Sequence, residues 1–239
     1  MHEVRRFLRF TLPGMASFGQ LLLAAYLTNS QAIVDLIISQ KNTKDILGWI
    51  AAAFVSSGVV GYILASAYHA LRWIPPFSFF AIDHLSLVTK LISIKKLQIA
   101  DFEGDLIVKK NLNKRDAWTI ITYYWYANIK QSEQLTGLNA VTDRLVDFTH
   151  AAGATFLGTL VGLVVWLFWF SGFPCFHPKD VILIGCWIIL LAIYGVNQRL
   201  ANKALESIAN AGILSHMGKV GRFPVIIPFF KKVENKRKT

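Results

Sequence analysis

Four long apolar runs constrain this chain more than any other feature. A helix needs about 20 mostly apolar residues to cross the hydrocarbon layer of a bilayer. Phe7–Leu27 is the first such run; Arg9 lies near its start, and Pro13-Gly14 is placed to kink it. Ile46–Ala67 is the second and carries no charged residue. Phe148–Gly172 is the third, with His150 near its entry. Val181–Val196 is the fourth and the shortest, so it must borrow flanking turns or tilt little.

The composition fits that frame. Hydrophobic residues make up 54% of the 239 positions and charged residues only 16%, against about 25% charged in an ordinary soluble domain. The expected fold is an all-α integral membrane protein with four transmembrane helices. Residues 1–72 would hold helices 1 and 2, and 73–147 an insert with an interfacial aromatic helix. Residues 148–197 would hold helices 3 and 4, and 198–239 a helical, basic C-terminal tail. Arg5 and Arg6 before the first run imitate a signal peptide. The run is long, however, and Ala24-Ala25-Tyr26 is a poor cleavage point, so a retained helix is expected.

Lys and Arg set the orientation of spans. Between the expected spans they number 3, 2, 10, 1 and 9 in chain order. High and low counts alternate, which four spans require. Both termini and the long insert are therefore expected on the cytoplasmic side of a bacterial inner membrane. The formal charge of +11 is then read as topology control plus contact with anionic headgroups. Cys175 and Cys186 match no metal or redox spacing.

Within the insert, Pro75-Pro76 stops the second helix. Leu91–Val108 has short apolar alternation and a turn signal at Glu103-Gly104-Asp105, which reads as a small hairpin. Lys109, Lys110, Lys114 and Arg115 form a basic cluster expected to face lipid. The segment Trp118–Tyr126 follows, rich in Trp and Tyr but too short to span. It is expected to lie in the headgroup layer. Stacking on single-stranded nucleic acid is the other reading of aromatics beside basic residues. In the tail, Leu200, Ala204, Ile208 and Ile213 outline an amphipathic helix, and Phe223–Phe230 is cut by Pro224 and Pro228.

Three features bear on function. Small residues recur every four positions: Ala53, Ser57, Gly61 and Ala65 in the second run, and Ala154, Gly158 and Gly162 in the third. Such faces let helices approach closely in lipid, within one chain or between copies, and they line helix contacts or a pore. A polar set marks the expected cytoplasmic boundary: His69, Asp83, His84, Asp143, Arg144, Asp147 and His150. It would serve as interfacial salt bridges, a gating network, or a metal or catalytic cluster. The spans themselves, as bounded above, hold no Asp or Glu; Ser17, Gln20, Ser56, Ser57, Thr155 and Thr159 are their deep polar groups. That argues against an ion-coupled carrier. No cofactor fingerprint is present.

The architecture, with the segments Arg9-Phe10-Thr11-Leu12-Pro13-Gly14 and Thr142–His150, resembles small multi-span bacterial membrane effectors of antiviral defence. The resemblance implies a homo-oligomer that answers a cytoplasmic signal by opening a pore or disturbing the membrane. The signal would be a ligand, a protein activator or a nucleotide or nucleic acid. The alternatives are a membrane enzyme acting on lipid through the polar set, and a scaffold whose basic tail docks a peripheral partner.

Overall fold

The computed structural model describes residues 7–28, 43–100, 112–169, 177–219 and 225–228. Helices dominate. A π-helical turn, Phe7–Thr11, leads into α1, Leu12–Thr28; α2 is Thr43–Leu71 and α3 is Leu85–Ser93. Strand β1 is Leu97–Ala100, and α4, Lys114–Tyr124, continues as a π-helical turn, Trp125–Ile129. The chain then forms α5, Thr136–Trp169, α6, Pro178–Lys219, and β2, Val225–Pro228. Four helices are long and apolar enough to cross a membrane, and they are those that carry the four apolar runs.

The helix limits have local causes. Pro13 has no N–H to give to the carbonyl four residues back, and the π turn sits where that bond is missing. Pro178 opens α6 at the first helical position, where its missing N–H costs nothing. Asp180 there accepts the His177 N–H at 2.9 Å. The helix then runs on to Lys219, so the fourth apolar run, short as it is in sequence, is part of a much longer helix. Likewise α5 begins at Thr136 rather than at Phe148.

The chain divides into two compact units: residues 1–80 with 144–202, and 81–143 with 203–239. The first unit contains α1 and α2, most of α5 and the first part of α6. Here α1 and α2 meet backbone to backbone. A Cβ on Gly14 would overlap the Ser57 carbonyl, and one on Gly61 would overlap the Phe10 carbonyl. In α5, Gly158 faces Ser17 and Leu64, and Ala154 is completely buried. Ser57, Gly61, Ala65, Ala154 and Gly158 therefore pack inside one chain. Ala53 is exposed, and Gly162 lies in ordinary contact with Trp187.

The second unit joins the insert to the tail. Its core takes Leu87, Val88 and Leu91 from α3, and Ala117, Ile120, Ile121, Tyr124 and Trp125 from α4 and its extension. Ala209, Ile213 and Met217 of α6 join it, with Leu97 and Ile99 of β1, Ile129 of the π turn after α4, and Ile227 of β2. The capping box at Asn113 starts α4: the Asn113 side chain accepts the Asp116 N–H at 2.8 Å, and Asp116 accepts the Asn113 N–H in return. A Schellman turn ends α3, with Lys96 N–H bonded to Leu91 O and Lys95 N–H to Ile92 O, both at 3.0 Å. Lys95 takes a left-handed φ of 57° there.

Three local expectations change. Strand β1, in the stretch expected to form a hairpin, pairs in parallel with β2, Leu97 opposite Val225 and Ala100 opposite Pro228; the second arm of the expected hairpin lies outside the described residues. The all-α expectation therefore gives way, by this one two-stranded ribbon, to a mainly helical fold. The expected turn at 103–105 and the basic residues Lys109 and Lys110 lie outside the described residues, as does the tail from 229 onward. The buried stripe of the α6 tail is Ala201, Leu205, Ala209, Ile213 and Met217, while Leu200 is exposed.

Candidate functional site

The polar residues singled out in the sequence are divided between the two units. His69, Arg144, Asp147 and His150 belong to the first unit, and Asp83, His84 and Asp143 to the second.

In the first unit, the Arg9 guanidinium, supplied by the π turn, donates a hydrogen bond to Asp147 of α5. One turn further along α5, the His150 ring meets His69 of α2 edge to face, with centroids 4.2 Å apart. Arg144 is exposed. Behind this set lies a polar group the sequence reading missed. Arg72, only 2% exposed, has its guanidinium over the Trp73 ring at 4.9 Å. Gln198 of α6 donates to the Tyr68 hydroxyl and to the Phe80 carbonyl, and Asn202 donates to the same carbonyl at 2.6 Å. The signal was there as a spacing of four: Tyr68 on α2 and Arg72 just past its end, Gln198 and Asn202 on α6, each at the polar end of an apolar run.

Deeper in the same unit, Thr159 of α5 donates to Gln20 Oε1 at 2.8 Å, and Gln20 Nε2 donates to the Tyr194 hydroxyl of α6 at 3.3 Å. At the end of α1, Thr28 Oγ1 accepts from Trp166 Nε1 at 2.9 Å, and its carbonyl accepts from Lys179 Nζ at 2.9 Å. Unmatched polar groups are costly in hydrocarbon, which favours such interhelical pairing.

In the second unit, Asp83 pairs with Lys114 at 2.8 Å and accepts the Leu85 N–H, capping α3. Partial burial pushes the Asp83 carboxyl up, but the bonds from Lys114 and Leu85 outweigh this and hold it below its usual range. The neighbouring His84 is buried and bonds through Nδ1 to Asn210 Oδ1 at 2.9 Å. Because Oδ1 only accepts, Nδ1 carries the proton. Burial lowers the His84 pKa, against the opposing pull of Asn210 and Asp83, so the ring is neutral. Asp143 pairs with Lys130 at 3.2 Å. Tyr124 bonds to His216 Nδ1 at 2.7 Å, and burial pushes the phenol up to about 12. Lys114 and Arg115 are both exposed on the first turn of α4.

Chemically these are structural interactions: ion pairs, helix caps, side-chain hydrogen bonds between helices and one neutral histidine, His84, in a fixed tautomer. Among the described residues, no three His, Cys, Asp or Glu side chains stand close enough to share a metal ion. No known family model, no curated protein and no solved structure matches this chain.

Proposed function

We propose that this chain is a homo-oligomeric, channel-like membrane effector. Its second unit takes up a cytoplasmic signal, and its four-helix unit responds by opening a path or disturbing the bilayer. The reading seats the protein in a bacterial inner membrane with both termini inside. It places the chain beside the small antiviral effectors that it resembles in architecture.

One observation carries it. Helices α5 and α6 each have one end in the four-helix unit and the other in the second unit, while α1 and α2 lie wholly in the first. Any ligand or partner that shifts the second unit acts directly on two of the four apolar helices. Two further points agree. The hydrogen bonds of Gln20 and Thr28 are of the kind that helices exchange when they repack. In addition, Val181, Ile182, Ile188, Ile189, Ile193 and Val196 of α6 are exposed on the single chain, as a helix facing lipid or another copy requires.

The test is reconstitution of the full chain in anionic liposomes. Mass in mild detergent would give the copy number, and potassium efflux would be followed while nucleotides, nucleic acid and cytosolic protein fractions are added. A monomer that leaves the liposomes ion-tight under every addition sinks the proposal.

A further inference from the structure

Gln20 and Thr28 have a shared property. Each bonds α1 to α5 and to α6 at once: Gln20 to Thr159 and Tyr194, Thr28 to Trp166 and Lys179. Ser17, Gln20, Ala24 and Thr28 follow one another at helical spacing, so one face of α1 forms the whole seam. Ser17 lies against Gly158, and Ala24 is buried with Trp166 and Trp187.

The other contact of α1 is of a different kind. Against α2 it has no room to give, because Gly14 and Gly61 bring backbone onto backbone. Along the α5–α6 seam it is held by side-chain hydrogen bonds whose partners can be replaced. The Thr28 hydroxyl already donates to Ala24 O at 2.8 Å on its own helix, and Thr159 can turn to a carbonyl of α5 in the same way. Such bonds contribute only about 0.6 kcal/mol each in a bilayer. Helix α1 thus has a tight joint to α2 and, along Gln20 and Thr28, a releasable joint to α5 and α6, with the Arg9–Asp147 pair adding a further tie to α5 ahead of α1; the releasable joint divides the helices that continue into the second unit from those that do not.

We propose that this seam is a latch: α1 and α2 move as a pair, and release of Gln20 and Thr28 from α5 and α6 is the conformational step that opens the bundle. The step rests on the proposed function for its purpose, but its geometry is tested separately.

The test uses the full chain in lipid nanodiscs, with cysteines 175 and 186 changed to serine. Spin labels are placed at Leu27→Cys on α1 and Ile182→Cys on α6, both exposed positions. Pulsed dipolar spectroscopy then gives the distance distribution between them. Gln20→Leu with Thr28→Val removes the three side-chain bonds between helices and leaves the Lys179 bond to the Thr28 carbonyl. The population separated by more than about 5 Å beyond the resting distance, the scale of a one-turn helix displacement, should rise about twentyfold. An unchanged distribution overturns the latch. If the double variant does not insert, Thr159→Val alone removes one bond at nearly constant shape, and should give a rise of about threefold. Liposome efflux on the same variants separates the two ideas. Helix separation without efflux keeps the latch and overturns the channel reading; efflux without separation overturns the latch.

Discussion

Replacing Gly61 by alanine tests the tightest joint in the molecule. The new Cβ would overlap the Phe10 carbonyl oxygen, and the Gly14 nitrogen stands 3.1 Å from the same point. Both are backbone atoms, so no side chain can swing aside. Either α1 and α2 separate or the π turn around Phe10 deforms, and overpacking of this sort costs about 1–3 kcal/mol. Alanine also raises helix propensity by up to about 1 kcal/mol, which would mask part of the loss. Gly185 on α6 provides the control, since a Cβ there meets nothing within 4 Å. The propensity gain is common to both variants and cancels in the comparison. Gly61→Ala should therefore be less stable than Gly185→Ala by about 1–3 kcal/mol. Reversible unfolding in bicelles by dodecyl sulfate, read by tryptophan fluorescence, measures that difference. If Gly61→Ala proves as stable as Gly185→Ala, the backbone contact between α1 and α2 is wrong.

Other expectations concern single interactions. Arg9→Met takes from Asp147, whose side chain is 6% exposed, its guanidinium partner, and should cost about 2–3 kcal/mol in the same assay, since Arg9 is itself partly exposed. Adding Asp147→Leu should recover most of the loss, and a strictly additive double variant would show that the ion pair is not the cause. His84 has a folded pKa depressed by burial, so its contribution is complete above its unfolded value of about 6.5 and is lost as pH falls from there toward the folded value. Amide protection factors in α3, which divide out the intrinsic pH dependence of exchange, should fall from about pH 6.5 toward pH 5 by up to about tenfold per unit, and His84→Gln should flatten that slope; an identical slope in the variant removes His84 as the source. Asp83, depressed by Lys114 and Leu85, adds its own loss only at lower pH, below about 3.8. Lys95→Gly should stabilise the second unit by about 1 kcal/mol, because a side chain at positive φ carries a steric penalty that glycine escapes; thermal melting that leaves the variant equal to or below the parent would contradict the Schellman turn.

What could be read from the sequence follows from which constraints are local. An apolar run long enough to span needs no partner to be recognised, so the four long helices were legible. Their true ends were not. Residues 136–147 mix charge and apolar character, and only contacts such as Arg9–Asp147 and Lys130–Asp143 explain why α5 includes them. The small-residue stripes were seen, but their use inside one chain depends on Phe10 and Ser17, far away in sequence. The pairing of Leu97–Ala100 with Val225–Pro228 has no local trace at all. On α6 the expected Ile213 is buried, but Leu200, which looks like a core residue, is exposed; the smaller Ala201 begins the buried stripe, which continues at every fourth residue to Met217.

The aromatic segment shows the same limit from the other side. Composition alone sends Trp118–Tyr126 to the headgroup layer, because Trp and Tyr collect there. Periodicity divides the segment. Ala117, Ile120, Ile121, Tyr124 and Trp125 recur at helical spacing and are buried in the core of the second unit, while Tyr123 and Tyr126 are left exposed. The two buried rings are held from the tail end of α6: His216 bonds the Tyr124 hydroxyl, and Gly212 leaves room for Leu138 and the Trp125 ring, where a Cβ would stand 2.7 Å from Leu138 Cδ2 and 3.2 Å from the ring. A segment expected to touch lipid is thus where the insert grips a helix that carries one of the four apolar runs. If a signal reaches the bundle through α6, this aromatic contact is part of its path, and Gly212→Leu, which would crowd Trp125, should uncouple efflux from its trigger while leaving the liposome-inserted protein intact.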